Sequence, residues 1–117
     1  MTEKITVYEK PTCTTCRKLV KAFRENGVDF KRVNYFTDSL TEEKLRSLLK
    51  KAKLAPKDVL RKRDKIYKEL DLKNENDADK LIKLIVENPN LLERPIVEEG
   101  DKAVLARPVE KALELVK

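Results

Sequence analysis

Two cysteines stand three residues apart in the stretch Pro11-Thr-Cys13-Thr-Thr-Cys16-Arg17-Lys18, and the chain has no others. A Cys-x-x-Cys pair that follows a strand directly and opens a helix is a redox arrangement. Its first cysteine sits where main-chain N–H groups point outward from the helix. Those donors and the helix dipole stabilise a thiolate and lower its pKa. Arg17 and Lys18 bring positive charge nearby. Cys16 lies one helical turn on, close enough to Cys13 to close a small disulfide ring. The pair can therefore cycle between dithiol and disulfide. Two plainer readings exist: small apolar residues packed in a core, since free cysteine packs well, or half of a metal site shared across a dimer. Spacing and placement both favour the redox pair.

The rest of the composition narrows what chemistry is open. There is no histidine, which removes Cys-His and Ser-His-Asp mechanisms and leaves too few soft ligands for a closed zinc site within one chain. An active thiol here depends on helix position and cations. Two cysteines are too few for a secreted disulfide scaffold. Nothing near Met1 resembles a signal peptide and no apolar run approaches a membrane span. A soluble, cytoplasmic protein with no membrane partner is the expectation. The length of 117 residues favours one domain. Charged residues make up 41% and the net charge is +6, a mixed Lys/Glu surface with excess lysine that permits attraction to anions, acidic proteins or nucleic acid. With three Tyr, three Phe and no Trp, there is no aromatic-and-basic stripe for single strands to stack on. Nucleic acid is therefore not an expected partner, and a monomer is.

The elements that must position the pair follow from apolar spacing. Lys4-Ile-Thr-Val-Tyr8 alternates and is β-branched, so it reads as a strand, broken at Pro11-Thr12. A helix follows from Cys13 or Thr14 to Asn26, with Cys16, Leu19, Val20 and Phe23 on one face and Gly27 as its stop. A second strand spans about Asp29 to Asn34, and the short crossover predicts parallel pairing. Ser39 to Glu42 has capping-box spacing, with Thr41 as a competing cap, before Leu45, Leu48, Leu49 and Ala52. Pro56 opens a helix through Leu60, Ile66 and Leu70 with a break near Arg63. Asn74 to Asp77 supplies the cap of a further helix with Ala78, Leu81, Ile82 and Ile85 on one face, ended at Asn88-Pro89-Asn90. Pro95 to Val97 and Ala103 to Leu105 are strand-like and joined by a hairpin signal at Gly100. Pro108 opens a last helix with Val109, Ala112, Leu113 and Val116 on one face. The order β-α-β, helical insert, β-β-α predicts an α/β, thioredoxin-like fold. Its halves cover about 1–37 and 92–117, and the helical insert covers about 38–91.

With these residues in place, the chain resembles the ArsC/Spx family from end to end. The cysteine loop Tyr8-x-x-Pro-x-Cys13 is similar to that of ArsC-type arsenate reductases. So are Leu60-Arg61-Lys62 with Tyr67-Lys-Glu-Leu70, the stretch Leu92-Glu-Arg94-Pro95-Ile96-Val97, and the ending Lys102-Ala-Val-Leu-Ala-Arg107-Pro108-Val-Glu110. The resemblance implies a catalytic Cys13 with Arg61, Arg94 and Arg107 as oxyanion-binding arginines. Guanidinium forks suit the oxygens of a tetrahedral oxyanion, and the same charges would hold Cys13 as a thiolate. It also implies a cis Arg94-Pro95 bond. By itself, Arg61 in Arg-Lys-Arg reads as a solvated helix face. Arg94 and Arg107, each before a proline beside a strand, are less generic. Two positions depart from the family pattern. Cys16 stands where glutaredoxin-dependent ArsC enzymes often have serine. Glu9 stands where they can carry a histidine, and a carboxylate there raises a neighbouring thiol's pKa.

The resemblance implies two alternative functions, and the cysteine pair alone supports a third. One is an arsenate reductase in which Cys13 attacks arsenate and Cys16 resolves the adduct as an internal disulfide. It would bind no cofactor and would draw on an external thiol reductant, either thioredoxin or glutathione with glutaredoxin. The second is a redox-sensing regulator resembling Spx that binds RNA polymerase. The third is a general thiol-disulfide reductase. The ending Arg107-Pro-Val-Glu110 resembles the reductase version of the motif.

Overall fold

The computed structural model describes residues 5–10 and 12–116. Lys4 and Pro11, read above as the start of the first strand and its break, lie outside these residues, as does the side chain of Val116. The described chain divides into two units, one from 1–38 with 94–117 and one from 39–93.

The first unit is built on a sheet whose strands lie side by side in the order β2 (Lys31–Asn34), β1 (Ile5–Glu9), β3 (Ile96–Glu99) and β4 (Lys102–Leu105). Strand β1 (Ile5–Glu9) leads through the cysteine loop into helix α1 (Thr14–Glu25). The helix forms because Cys16, Leu19, Val20 and Phe23 recur at helical spacing, and all four are buried. It stops as Gly27 enters the left-handed region at φ +67. There Val28 N–H donates to the Phe23 carbonyl at 2.9 Å and Gly27 N–H to that of Arg24 at 3.2 Å, a Schellman closure that favours glycine. Strand β2 (Lys31–Asn34) begins two residues later than the spacing predicts. The reason is Phe30, whose ring meets Phe23 edge-on at 5.3 Å before the chain turns into the sheet. Strand β2 pairs parallel with β1, as predicted, from Thr6 opposite Lys31 to Glu9 opposite Asn34.

Strands β3 (Ile96–Glu99) and β4 (Lys102–Leu105) form the expected hairpin about Gly100 at φ +59. Strand β3 runs antiparallel to β1, with Tyr8 opposite Ile96. The last helix of this unit spans Glu110–Val116, two residues short of the predicted start at Pro108. One core ties these pieces together: Ile5, Val7 and Val97 from the sheet, Leu19 and Phe23 from α1, and Ala106 and Ala112 from the C-terminal segment.

In the second unit, α2 (Glu42–Ala52) is capped by Thr41, whose hydroxyl accepts from Lys44 N–H at 3.0 Å. Acidic residues fill its first turn and lysines its last, as the helix dipole favours. The helix expected from Pro56 through Leu70, with a break near Arg63, is interrupted there and over a wider stretch. Pro56–Val59 forms a single 3-10 turn, and the helix α3 covers only Lys65–Glu69, capped by Asp64. The chain leaves the helical path at Leu60 because it pairs there instead. Leu60 bridges to Leu92, Arg61 N–H donates to the Leu91 carbonyl, and Glu93 N–H donates to the Val59 carbonyl, both at 2.7 Å. Leu70 consequently ends up exposed. Asp77 caps α4 (Ala78–Glu87), which buries Leu81, Ile82 and Ile85 and leaves Ala78 exposed. The helix Glu110–Val116 of the first unit is α5. Among the described residues, no helix is long and apolar enough to cross a membrane.

Phe23 is fully buried at the centre of the first unit's core. Phe23→Ala should therefore destabilise the protein by about 3–5 kcal/mol, read as a lowered urea midpoint. A loss below about 1 kcal/mol would mean that the ring does not organise this core.

Candidate active site at the cysteine loop

The strand directions bring four distant segments to one edge of the first unit's sheet. Parallel β1 and β2 end side by side at Glu9 and Asn34. Antiparallel β3 starts there, since Ile96 faces Tyr8, and β4 ends there, since Leu105 faces Ile96. The cysteine loop, Tyr35-Phe36, Arg94-Pro95 and Ala106-Arg107 therefore meet at the same edge. Ala106 N–H donates to the Pro95 carbonyl at 2.9 Å, and Arg107 Nη1 donates to the Arg94 carbonyl at 2.6 Å. The Arg94-Pro95 peptide is cis, as the resemblance implied, and so is Arg107-Pro108.

Cys13 is the N-cap residue of α1, with extended backbone at φ −77 and ψ 127. Cys13 N–H donates to the Lys10 carbonyl at 2.9 Å, and its own carbonyl accepts the first helical bond from Arg17 N–H at 3.1 Å. The turn so formed leaves the thiol half-buried, while Cys16 is fully buried. Both are free thiols.

The two sulfurs sit in opposite electrostatic environments. Burial opposes ionisation of Cys13, but the main-chain N–H and thiol of Cys16, the Arg94 guanidinium and the Thr15 N–H outweigh it and hold the thiol below its ordinary range. Burial pushes the Cys16 thiol up to about 12; the Lys10 main chain works against that shift, while the Cys13 sulfur and the Glu9 charge add to it. The carboxylate at position 9 thus acts on Cys16. Its side chain is buried and accepts from Arg32 Nε at 2.6 Å. Arg17 and Lys18, expected to add charge near the thiol, lie exposed further along α1.

Arg94 is buried to 5% exposure, where an uncompensated guanidinium would be costly. Burial works against its charge, but the Tyr35 hydroxyl and the Cys13 sulfur outweigh that effect and raise its pKa above the usual arginine range. The Phe36 ring lies 5.7 Å from the guanidinium carbon and 4.7 Å from Lys10 Nζ, an arrangement of cations over an aromatic face. Tyr35 and Phe36 are the residues that motif reading missed. The available signal was their place directly after a parallel strand, at the end shared with the cysteine loop.

Arg61 belongs to the second unit. Its main chain is held by the pairing with Leu91. Its guanidinium lies 3.5 Å from Glu93 Oε1 and 3.8 Å from Asp64 Oδ2, and donates to the Asn90 carbonyl at 3.4 Å. The structure thus gathers Cys13, Cys16, Arg94 and Arg107 within the first unit and sets Arg61 in a carboxylate-lined turn of the second. Among the described residues there is no cluster of side chains able to hold a metal ion. What the first-unit site can do chemically is present a stabilised thiolate beside cationic donors, with a second thiol buried next to it.

Comparison with known proteins shows likeness over nearly the whole chain. The sequence profile of the ArsC family matches residues 8–115. YfgD of Escherichia coli strain K12, an uncharacterized protein, is 36% identical over 99% of both chains. The arsenate reductase of Neisseria meningitidis serogroup A is 35% identical over 92% of this chain and 93% of its own. The global transcriptional regulator Spx of Streptococcus pyogenes serotype M1 is 35% identical over 80% of this chain and 70% of its own. Among solved structures, an arsenate reductase from Vibrio cholerae superposes with a TM-score of 0.89 at 29% identity, over 94% of this chain and 95% of that one.

The lowered pKa of Cys13 means that its thiolate persists to lower pH in the folded chain than in the unfolded one. Iodoacetamide should therefore modify Cys13 selectively, with a half-maximal rate at a pH below that of a free thiol, and should leave Cys16 unmodified. Arg94→Gln should move that midpoint upward by withdrawing one of the stabilising groups. A wild-type midpoint at the ordinary thiol value would contradict the assignment.

Proposed function

The chain belongs to the ArsC family, and on that footing we propose that it is an arsenate reductase-like thiol oxidoreductase. One observation carries the reading. A half-buried thiol at a helix N-cap is held by two main-chain N–H groups and a buried arginine, with a protonated thiol alongside. In the proposed reaction the Cys13 thiolate attacks the arsenic of arsenate, forming an S–As bond and releasing water. Arg94 and Arg107 balance charge on the remaining oxygens. Arg61 is proposed as a third oxyanion ligand on family likeness.

Cys16 then attacks the Cys13 sulfur, and its proton passes to an oxygen of the departing arsenite. The S–As electron pair passes to arsenic, which leaves as arsenite, and Cys13 and Cys16 are joined by a disulfide. Arsenic gains the two electrons that the sulfurs lose. Burial of Cys16 suits this role, because a thiol closed to solvent reacts with a neighbour and not with bulk oxidant. An external thiol reductant, thioredoxin or glutathione with glutaredoxin, closes the cycle.

Incubation of reduced protein with arsenate and such a donor should release arsenite. Cys13→Ser should reduce turnover to background. Cys16→Ser should leave Cys13 reactive to iodoacetamide but prevent the internal disulfide. Wild-type protein that forms no arsenite with any donor, yet reduces mixed disulfides, would be a general disulfide reductase. Capture of the RNA polymerase α subunit by the oxidised or reduced chain would favour the Spx-like reading instead.

A further inference from the structure

Helix α1 is flanked by two grooves of the first unit. One, of about 420 Å³, is lined by residues that include Thr15, Lys18 and Arg107, and so continues the site already described. The other, of about 370 Å³, lies on the opposite flank and is lined by Arg17, Val20, Lys21, Arg24, Glu25 and Arg32. Nothing in the thiol chemistry uses it.

Its charge follows from helical geometry. Cys13, Arg17, Lys21 and Arg24 are spaced four, four and three residues apart, so they share one face of α1. The cations form a row that starts one turn after Cys13 and extends about 10 Å from Arg17 to Arg24. Arg32 adds to it from β2, the strand at the sheet's edge. Its Nε is bound to Glu9, but the side chain stays 41% exposed. Arg17, Lys21 and Arg24 thus face one lining carboxylate, Glu25, while Arg32 is paired with Glu9, and the floor is the apolar side chain of Val20.

We propose that this groove docks the protein that reduces the Cys13–Cys16 disulfide, a dithiol protein with an acidic surface around its own reactive cysteine. The inference rests on the thiol cycle proposed above. A partner whose sulfur reaches Cys13 must cover the adjoining end of α1, and there the row offers it opposite charge. Long-range attraction of that kind speeds encounter more than it tightens binding. The mixed Val20 and Glu25 lining, with no aromatic side chain for base stacking, suits a protein surface better than a nucleic-acid strand.

The electron flow is fixed by access. The partner's thiolate attacks the half-buried Cys13 sulfur, forming an intermolecular disulfide, and Cys16 leaves and takes up a proton. The partner's second thiolate then attacks the partner's own bridged sulfur, releasing Cys13 as thiolate. Two electrons pass from the partner dithiol to the Cys13–Cys16 bond.

The test compares wild type with Lys21→Glu/Arg24→Glu, two exposed positions outside the thiol chemistry. Both proteins are first oxidised to the internal disulfide with diamide. Reduction by an acidic thioredoxin should be slower in the variant by about ten-fold at low salt. The difference should shrink toward none near 0.5 M salt, because screening removes steering. Reduction by dithiothreitol should be the same for both. Equal rates with thioredoxin at low salt would overturn the docking site, whether or not arsenate is the substrate. A variant altered only in its affinity for a short oligonucleotide would overturn it in favour of nucleic acid. If diamide forms no Cys13–Cys16 bond in wild type, the thiol cycle itself fails, and the docking inference with it.

Discussion

The Cys13 thiol and a buried guanidinium support each other at the site in the first unit. Arg94 is too enclosed to be hydrated like a surface arginine, so its charge needs partners within the protein. Tyr35 and the Cys13 sulfur supply them. Cys13 in turn is enclosed enough that burial alone would keep its proton, and the Arg94 guanidinium is among the groups that reverse this. Each is one of the groups that make the other's charge tolerable, beside the Cys16 main chain and thiol for Cys13 and Tyr35 for Arg94. The backbone's task is to hold them together across some eighty residues of sequence.

The sheet does that through register. A parallel pair places the ends of β1 and β2 together, and the antiparallel hairpin reverses twice, so that the start of β3 and the end of β4 return to the same edge. The core of Phe23, Leu19, Val7 and Val97 behind that edge fixes where α1 starts relative to the strands. Cys13 is therefore positioned by packing that involves no charged group. The same helix sorts the two cysteines. Position 13 lies at the N-cap, where donors point outward, and position 16 falls on the buried stripe with Leu19 and Phe23. Opposite pKa shifts follow from three residues of helix, and with them a division between an accessible nucleophile and a sheltered second thiol.

Much of this was legible in local pattern. The helix from Thr14, its glycine stop, the Gly100 hairpin and the caps at Thr41 and Asp77 rest on nearest-neighbour physics: apolar periodicity, left-handed backbone and side-chain oxygens reaching nearby N–H groups. Where local pattern misled, a distant strand segment had taken over. The stretch after Pro56 has helical spacing, but Val59 and Arg61 spend main-chain hydrogen bonds on Glu93 and Leu91. No window of ten residues contains that competitor. Glu9 was legible as a carboxylate near a thiol, but the thiol on which it acts, Cys16, depends on which way each sulfur turns from the helix.

The sequence alone determined the cysteine spacing, the helix that opens on it and the family motifs around Arg61, Arg94 and Arg107, because these are properties of residue order over short spans. Only the tertiary structure decided which groups the sulfurs meet. Tyr35 and Phe36 join Arg94 because two strands end in register, and the Cys13 and Cys16 pKa values part because one side chain is half-open and the other closed. Burial and charge pairing depend on distance in space, and along this chain Arg94 stands more than eighty residues from Cys13 and nearly sixty from Tyr35.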